Sequence, residues 1–215
     1  MFWGGPNLKS ISKRRLVTPP GMHFSILGVL ERKEIELLCK TDFVSVSLVN
    51  CTLTEELADC IKRNHIVSLD VGQVQDDSRL LDSIICLPSI KSLSIRNVVS
   101  TITTSALSPS LELLSITGGE IKLSEFYELL RKPSVAEFSL TLSRIRTDCG
   151  LATQLCEAIE TLDLSGSKFD EGILDGVCFS DRLRLASFLF TDIDLDSIER
   201  FQLRHPKTEI WWKSE

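Results

Sequence analysis

Three histidines, seven cysteines and one alternating run of acids are where this chain could hold reactive or metal-binding chemistry. His23, His65 and His205 lie in three separate regions, whereas a zinc site draws on four N or S ligands, usually in closely spaced pairs. The cysteines (Cys39, Cys51, Cys60, Cys86, Cys149, Cys156, Cys178) include no Cys-x-x-Cys pair. Their odd number and irregular spacing also argue against a disulfide framework. Asp192, Asp194 and Asp196 alternate around Ile193 and Leu195, but lack the glycine and terminal glutamate of an EF-hand loop. Those acids and the Asp76-Asp77 pair read as helix-start charges and solvated loop residues. No Gly-x-Ser-x-Gly nucleophile elbow occurs, and Gly118-Gly119 is a glycine pair without the longer phosphate-binding fingerprint. The expectation is therefore a protein that is not an enzyme, with no catalytic residues, no metal and no cofactor.

What would position a binding surface instead is a frame that recurs along the chain. In Ile159-Glu-Thr-Leu-Asp-Leu-Ser-Gly-Ser-Lys-Phe169 the apolar residues stand first, fourth, sixth and eleventh. The one, four, six spacing returns at Phe43-Val46-Leu48, Ile66-Leu69-Val71, Ile90-Leu93-Ile95, Leu111-Leu114-Ile116 and Val135-Phe138-Leu140. It continues at Ile159-Leu162-Leu164 and Leu185-Phe188-Phe190, the starts lying 23, 24, 21, 24, 24 and 26 residues apart. A short strand puts its fourth and sixth residues on one face, because side chains alternate with period two. The first and eleventh then mark where the chain enters and leaves the strand. Stacking such turns builds a parallel sheet, and each turn buries its apolar residues against the next.

Between frames the chain reads as short helices. Thr54 caps one whose inward residues are Leu57, Cys60 and Ile61. Ser124 leads another with Phe126, Leu129 and Leu130, and Asp196 with Glu199 forms a capping box ahead of Ile198 and Phe201. A helix also opens at Asp170-Glu171-Gly172-Ile173-Leu174. The turn beginning at Ile90 is the shortest, and its outer segment reads as a turn.

These frames resemble the leucine-rich-repeat pattern Leu-x-x-Leu-x-Leu-x-x-Asn/Cys-x-Leu over residues 43 to about 206. The resemblance implies an α/β fold: a leucine-rich-repeat solenoid, a curved right-handed superhelix with a parallel sheet on its concave face and short helices on its convex face. The helical outer segments are similar to those of the cysteine-containing and ribonuclease-inhibitor-like branches. One departure concerns the ninth position, where the family places Asn or Cys to bond adjacent loops. Here it holds Cys51, Val74, Val98, Gly119, Ser143, Ser167 and Ile193, so a continuous asparagine ladder is not expected. The chain divides into a basic leader (1–21), an N-terminal cap or half-repeat (22–42), seven repeats (43–206) and a capping strand (207–215). In the last of these, Trp211 and Trp212 read as covers for the final turn.

Charge bounds the partners. The chain carries −6 overall, yet no acid precedes Glu31 while Lys9, Lys13, Arg14 and Arg15 do. Removing those four leaves 20 basic against 30 acidic residues, a body of −10. An acidic body repels phosphate backbones, which excludes nucleic acid as its natural partner. The leader reads either as a solvated tail or as an organelle-targeting segment. No apolar run is long enough to span a bilayer and no secretory signal is read at the N-terminus. Unpaired cysteines in apolar stretches fit a reducing, cytoplasmic setting.

Residues three, five, seven and eight of each frame should project from the concave side. The fifth-position column is Ser, Asp, Ser, Ser, Ser, Asp, Leu, small enough to leave the sheet floor open. The candidate partner-binding residues are Ser47, Asp70, Ser94, Arg96, Ser115, Thr117, Glu137, Ser139, Asp163 and Ser165. They make a protein partner the expectation, for a chain that is monomeric on its own. A substrate-recognition adaptor of a ubiquitin-ligase-type complex is the alternative. It requires residues 1–42 to dock the ligase, and they show no convincing F-box. Urea denaturation tests the face assignment. Leu164→Ala should cost about 2–5 kcal/mol as a core truncation and Ser165→Ala little, whereas equal small costs would mean the two faces are reversed.

Overall fold

The computed structural model describes residues 22–75, 79–98, 107–149, 154–170 and 172–213. It is α/β, built on a mostly parallel sheet. Strands β1 (His23–Gly28), β2 (Ser45–Cys51), β3 (Ser68–Gly72), β4 (Ser92–Val98), β5 (Leu113–Lys122) and β6 (Glu137–Arg146) pair side by side in chain order. The sheet continues through β8 (Thr161–Asp163), β11 (Leu185–Leu189) and β12 (Glu209–Lys213), and β9 (Lys168–Phe169) pairs with the far end of β6. Every pairing is parallel, and from β2 to β8 the register holds the frame: Val46 aligns with Leu69, then Leu93, Leu114, Phe138 and Leu162.

One frame is shifted from its expected position. Leu162 pairs with Ala186 and not with Phe188. The last turn therefore starts at Leu183, 24 residues after Ile159, with Leu183, Ala186 and Phe188 buried. Phe190, expected inside, is 64% exposed. An alanine at the fourth position hides the frame from a search for large apolar residues. The Phe188 and Phe201 rings, 5.2 Å apart and edge to face, fill the space beside it.

Helices follow most strands: α1 (Arg32–Leu38), α2 (Glu55–Arg63), α3 (Leu80–Ile85), α4 (Leu123–Leu130) and α5 (Leu195–Arg204). Each lays an apolar stripe on the frame residues, as Phe126 does on Phe138 with ring centroids 5.9 Å apart. Thr54 caps α2 as expected, its Oγ1 accepting from Leu57 N at 3.3 Å. Two helices begin earlier than expected. Asp194 caps α5, accepting from Ser197 N at 2.6 Å, and α4 starts at Leu123 with Lys122 before it. The segment after Phe169 forms no α-helix. Gly172 takes φ +81°, a single 3-10 turn spans Ile173–Gly176, and the chain becomes β10 (Val177–Phe179), paired in parallel with β7 (Gln154–Cys156). A glycine at each end and a β-branched residue following leave too little helix-forming sequence between them. Asp76, Asp77 and the outer segment expected after Ile95 fall at or beyond the edge of the described residues, 76–78 and 99–106 lying outside them.

At the strand exits the backbone does something the apolar frame does not reveal. The eighth residue of every turn is left-handed: Gly28, Asn50, Gln73, Asn97, Gly118, Leu142, Gly166 and Phe190 have φ of +76°, +47°, +54°, +54°, +72°, +50°, +68° and +58°. This row bends the strand, and in β5 and β6 the ladder resumes beyond it, from Gly119–Ser143 to Lys122–Arg146. Neighbouring members touch, since a Cβ added to Gly166 would lie 2.7 Å from Leu142 Cδ2.

Polar side chains then tie each turn to the next in place of an asparagine ladder. Ser167 Oγ accepts from Ser143 N at 3.1 Å and donates to Leu140 O at 2.7 Å, fully buried. Asp148, Asp170 and Asp192 accept from the backbone N–H groups of Ser124, Thr147 and Phe169 at 2.9, 2.8 and 3.0 Å. Each reaches back 23 or 24 residues.

A left-handed bulky residue costs roughly 1–2 kcal/mol. Leu142→Asn should hold or raise the thermal midpoint, and Gly166→Ala should lower stability by about 1–2 kcal/mol, read by chemical denaturation.

Candidate functional site

The third, fifth and seventh frame positions line the sheet face opposite the core. The fifth-position row runs in register as Ser25, Ser47, Asp70, Ser94, Ser115, Ser139, Asp163, Ser187 and Trp211. All ten expected residues lie on this open face, but they divide into groups of different character.

Toward β1 the polar groups satisfy one another. Ser47, 5% exposed, donates to Asp70 Oδ2 at 2.7 Å. Arg96 closes on the same carboxylate through Nε at 3.1 Å and through Nη2. Strands β2 to β4 are thereby locked in a network with little spare capacity. Such a half-exposed ion pair contributes little stability and more to arrangement. In the middle, Ser94, Ser115 and Ser139 are half-buried, with no hydroxyl hydrogen bond among the described residues. Beside them Thr117 and Thr141 share a hydrogen bond of 3.1 Å. Toward β12, Asp163 Oδ1 accepts from Ser165 N at 3.0 Å and Ser165 Oγ at 2.6 Å, and Ser165 reaches Ser187 Oγ at 2.8 Å. Glu137 is exposed, without an ion-pair partner among the described residues.

Several residues of this face are absent from the sequence-based set. Ser187 takes the place given to Leu189, a consequence of the shifted last frame. Trp211, read as a cover, instead points to the open face, 48% exposed, its Nε1 donating to Glu209 Oε1 at 2.7 Å. Trp212 alone packs against the core. The period of two along β12 carries the signal: Ile210 and Trp212 share one side, so Trp211 takes the other. At the opposite end His23 joins Ser45 and Ser25 at 2.8 and 3.2 Å.

The other titratable groups have separate roles. Burial pushes the Cys51 thiol up to about 11 and the Cys60 and Cys156 thiols up to about 12, so all three stay protonated and unreactive at neutral pH. The three aspartates expected as a run divide their work: Asp192 holds Phe169 N, Asp194 caps α5 and Asp196 sits in its first turn. Among the described residues no group of three or more His, Cys, Asp or Glu is placed to hold a metal. No helix among them is long and apolar enough to cross a membrane. A small cavity of about 150 Å³ between Phe169–Leu174 and Asp192–Ser197 is walled by carboxylates already bonded to backbone.

No protein-family model matches the chain, and no match is found among curated protein sequences.

Two kinds of group make stability depend on pH. His205 is buried beside Phe201 and Phe179, its Nε2 without a hydrogen bond. Burial, and then the Arg204 charge, lower its pKa from the usual 6.5. The unfolded chain therefore takes up this proton first, and stability falls as pH drops below about 6.5. Hydrogen bonds from Ser124 hold Asp148 below the ordinary carboxylate value, and those from Thr147 do the same for Asp170. Their contribution is complete above about 4 and is lost as pH falls through the lowered values. Thermal midpoints measured from pH 8 to 3 should decline in two stages. His205→Phe should flatten the first, and Asp148→Asn with Asp170→Asn the second.

Proposed function

We propose that the chain is a non-enzymatic protein-interaction module, a leucine-rich-repeat solenoid that presents its open, concave sheet face and adjoining strand exits to a protein partner. What supports the solenoid reading is the sheet's order. Strand follows strand in sequence order, parallel, with register offsets of 21 to 24 residues and short helices between. A doubly wound α/β domain would reverse strand order within its sheet, and a closed barrel would pair its first strand with its last, whereas β1 and β12 here are the two ends of the sheet.

The observation carrying the functional reading is the fifth-position row: nine aligned residues, six of them serine, across a face that no helix among the described residues covers. Small side chains lower the floor, so a partner's bulk can approach the sheet while hydroxyls bond to it. The row continues from β1 to β12, which suits an extended contact better than a small-molecule pocket. For the ligase-adaptor alternative, Phe24, Ile26, Ile35 and Leu38 are buried in the chain's own core, which withdraws the first strand and helix from docking.

The test is a set of bulk and charge changes on the floor: Ser94→Arg, Ser115→Arg and Glu137→Lys, each checked for native circular dichroism. Affinity capture with the full chain should recover a partner that all three variants lose by ten-fold or more. Recovery equal to wild type in all three would overturn docking at this face.

A further inference from the structure

The open face is not uniform, and the difference lies in which residues fill the left-handed row. Six of its eight positions hold residues that tolerate or solvate that backbone: Gly28, Asn50, Gln73, Asn97, Gly118 and Gly166. The other two are Leu142 and Phe190, at φ +50° and +58°, and they are 68% and 64% exposed. A large apolar residue there bears backbone strain and also gives up the burial that would offset it. The fold gains nothing from either, since asparagine serves the same turn at Asn50 and Asn97.

The two are not scattered. Leu142 and Phe190 flank Gly166, two strands apart, with the Leu142 side chain lying over the glycine. Trp211 stands on the strand beyond, in the row that holds Asp163 and Ser187. Strand spacing places Phe190 about 10 Å from Leu142 and about 11 Å from Trp211, with Leu142 and Trp211 about 17 Å apart on either side of it. An apolar rim thus borders the β6–β12 end of the floor.

Charge separates this end from the other. Near β1, Asp70 is neutralised by Arg96. Near β12, Glu137 and Asp163 have no ion-pair partner among the described residues, and the hydrogen bonds of Asp163 come from neutral Ser165. Along the strands the Leu142 and Phe190 row lies about 10 Å from the row of Asp163 and about 16 Å from that of Glu137, the first being the distance between residues three apart in an extended chain.

The geometry points to a specificity site at this end, for an extended protein segment that carries an arginine or lysine two or three residues from a large apolar side chain. The inference rests on the interaction reading above and narrows it to one half of the face and one partner chemistry. The apolar side chain packs on Phe190, between Leu142 and Trp211, and the cation reaches Asp163 and, one strand further, Glu137. The strain at Leu142 and Phe190 is retained because their contacts form only with the partner.

The probe is an array of acetylated, amidated, fluorescein-labelled octapeptides, each holding one Arg three residues from one Phe. Matched members replace Arg by Glu or Phe by Ser. Fluorescence polarisation with the full chain should show binding by Arg/Phe members and at least ten-fold weaker binding by both matched sets. Phe190→Asn and Glu137→Lys should each weaken binding five-fold or more, while Phe190→Asn holds or raises the thermal midpoint. That pairing of better folding with worse binding is a result that a purely structural role for Phe190 would not produce. The inference is overturned if no Arg/Phe member binds or if Glu serves as well as Arg. It is equally overturned if the chain self-associates through Phe190, seen as a sedimentation change in Phe190→Asn. If Ser47→Arg abolishes peptide binding while Phe190→Asn and Glu137→Lys do not, this site fails and docking elsewhere on the open face stands.

Discussion

No strand of this chain can bury its own apolar side. β3 offers Leu69 and Val71, and both are covered by the frame residues of β2 and β4 at the same register together with the apolar stripes of α2 and α3. Everything else follows from that mutual cover. The strands must be parallel and aligned residue for residue, because a one-place slip would put Asp70 where Leu69 belongs. The two outermost strands need special residues on their inner sides, which Phe24 and Ile26 supply at one end and Trp212 at the other. Stability is accordingly shared between neighbours, and damage to one turn exposes the next.

Alignment of that kind leaves the strand exits as the place where individuality can enter. A left-handed residue bends the strand in each turn, yet the side chains of Leu142 and Phe190 there are exposed and core packing does not dictate them. Polar bonds between turns answer the same need for regularity by different means. Ser167 is buried and bonds two backbones at once, whereas Asp148, Asp170 and Asp192 work at the surface and from different frame positions. What recurs is the requirement that loop N–H groups find acceptors, not the residue that meets it.

The strands are legible in the sequence wherever large apolar residues fill the frame, as from Phe43 to Leu164. They are misplaced where a small residue does so, at Ala186. The frame moves there by two residues, so Ser187 stays on the open face and passes from the third row to the fifth, while Phe190 passes from the inward sixth position to the exposed eighth. Helix starts are legible at Thr54 but two residues late at Asp194, since Asp194 and Asp196 are chemically the same cap and only backbone geometry chooses. The open-face residues are legible because alternation alone assigns them. Their division into a closed network around Asp70 and an unsatisfied end around Glu137 is not, because it depends on which side chains meet across strands 23 to 26 residues apart. Trp211 shows the same limit: residue type suggests a cover, while direction along β12 makes it part of the surface.

The last strand has a consequence of its own. Among the described residues β12 is hydrogen-bonded to β11 on one side only, so its outer amides and carbonyls form a ready template for further strand addition. The sequence Glu-Ile-Trp-Trp-Lys suits growth of that kind, being rich in β-formers and free of proline. A copy adding in the parallel sense of the sheet would set Glu209 beside Glu209, like charges directly opposite one another. The carboxylate at the start of the strand thus guards an edge that would otherwise invite fibre growth.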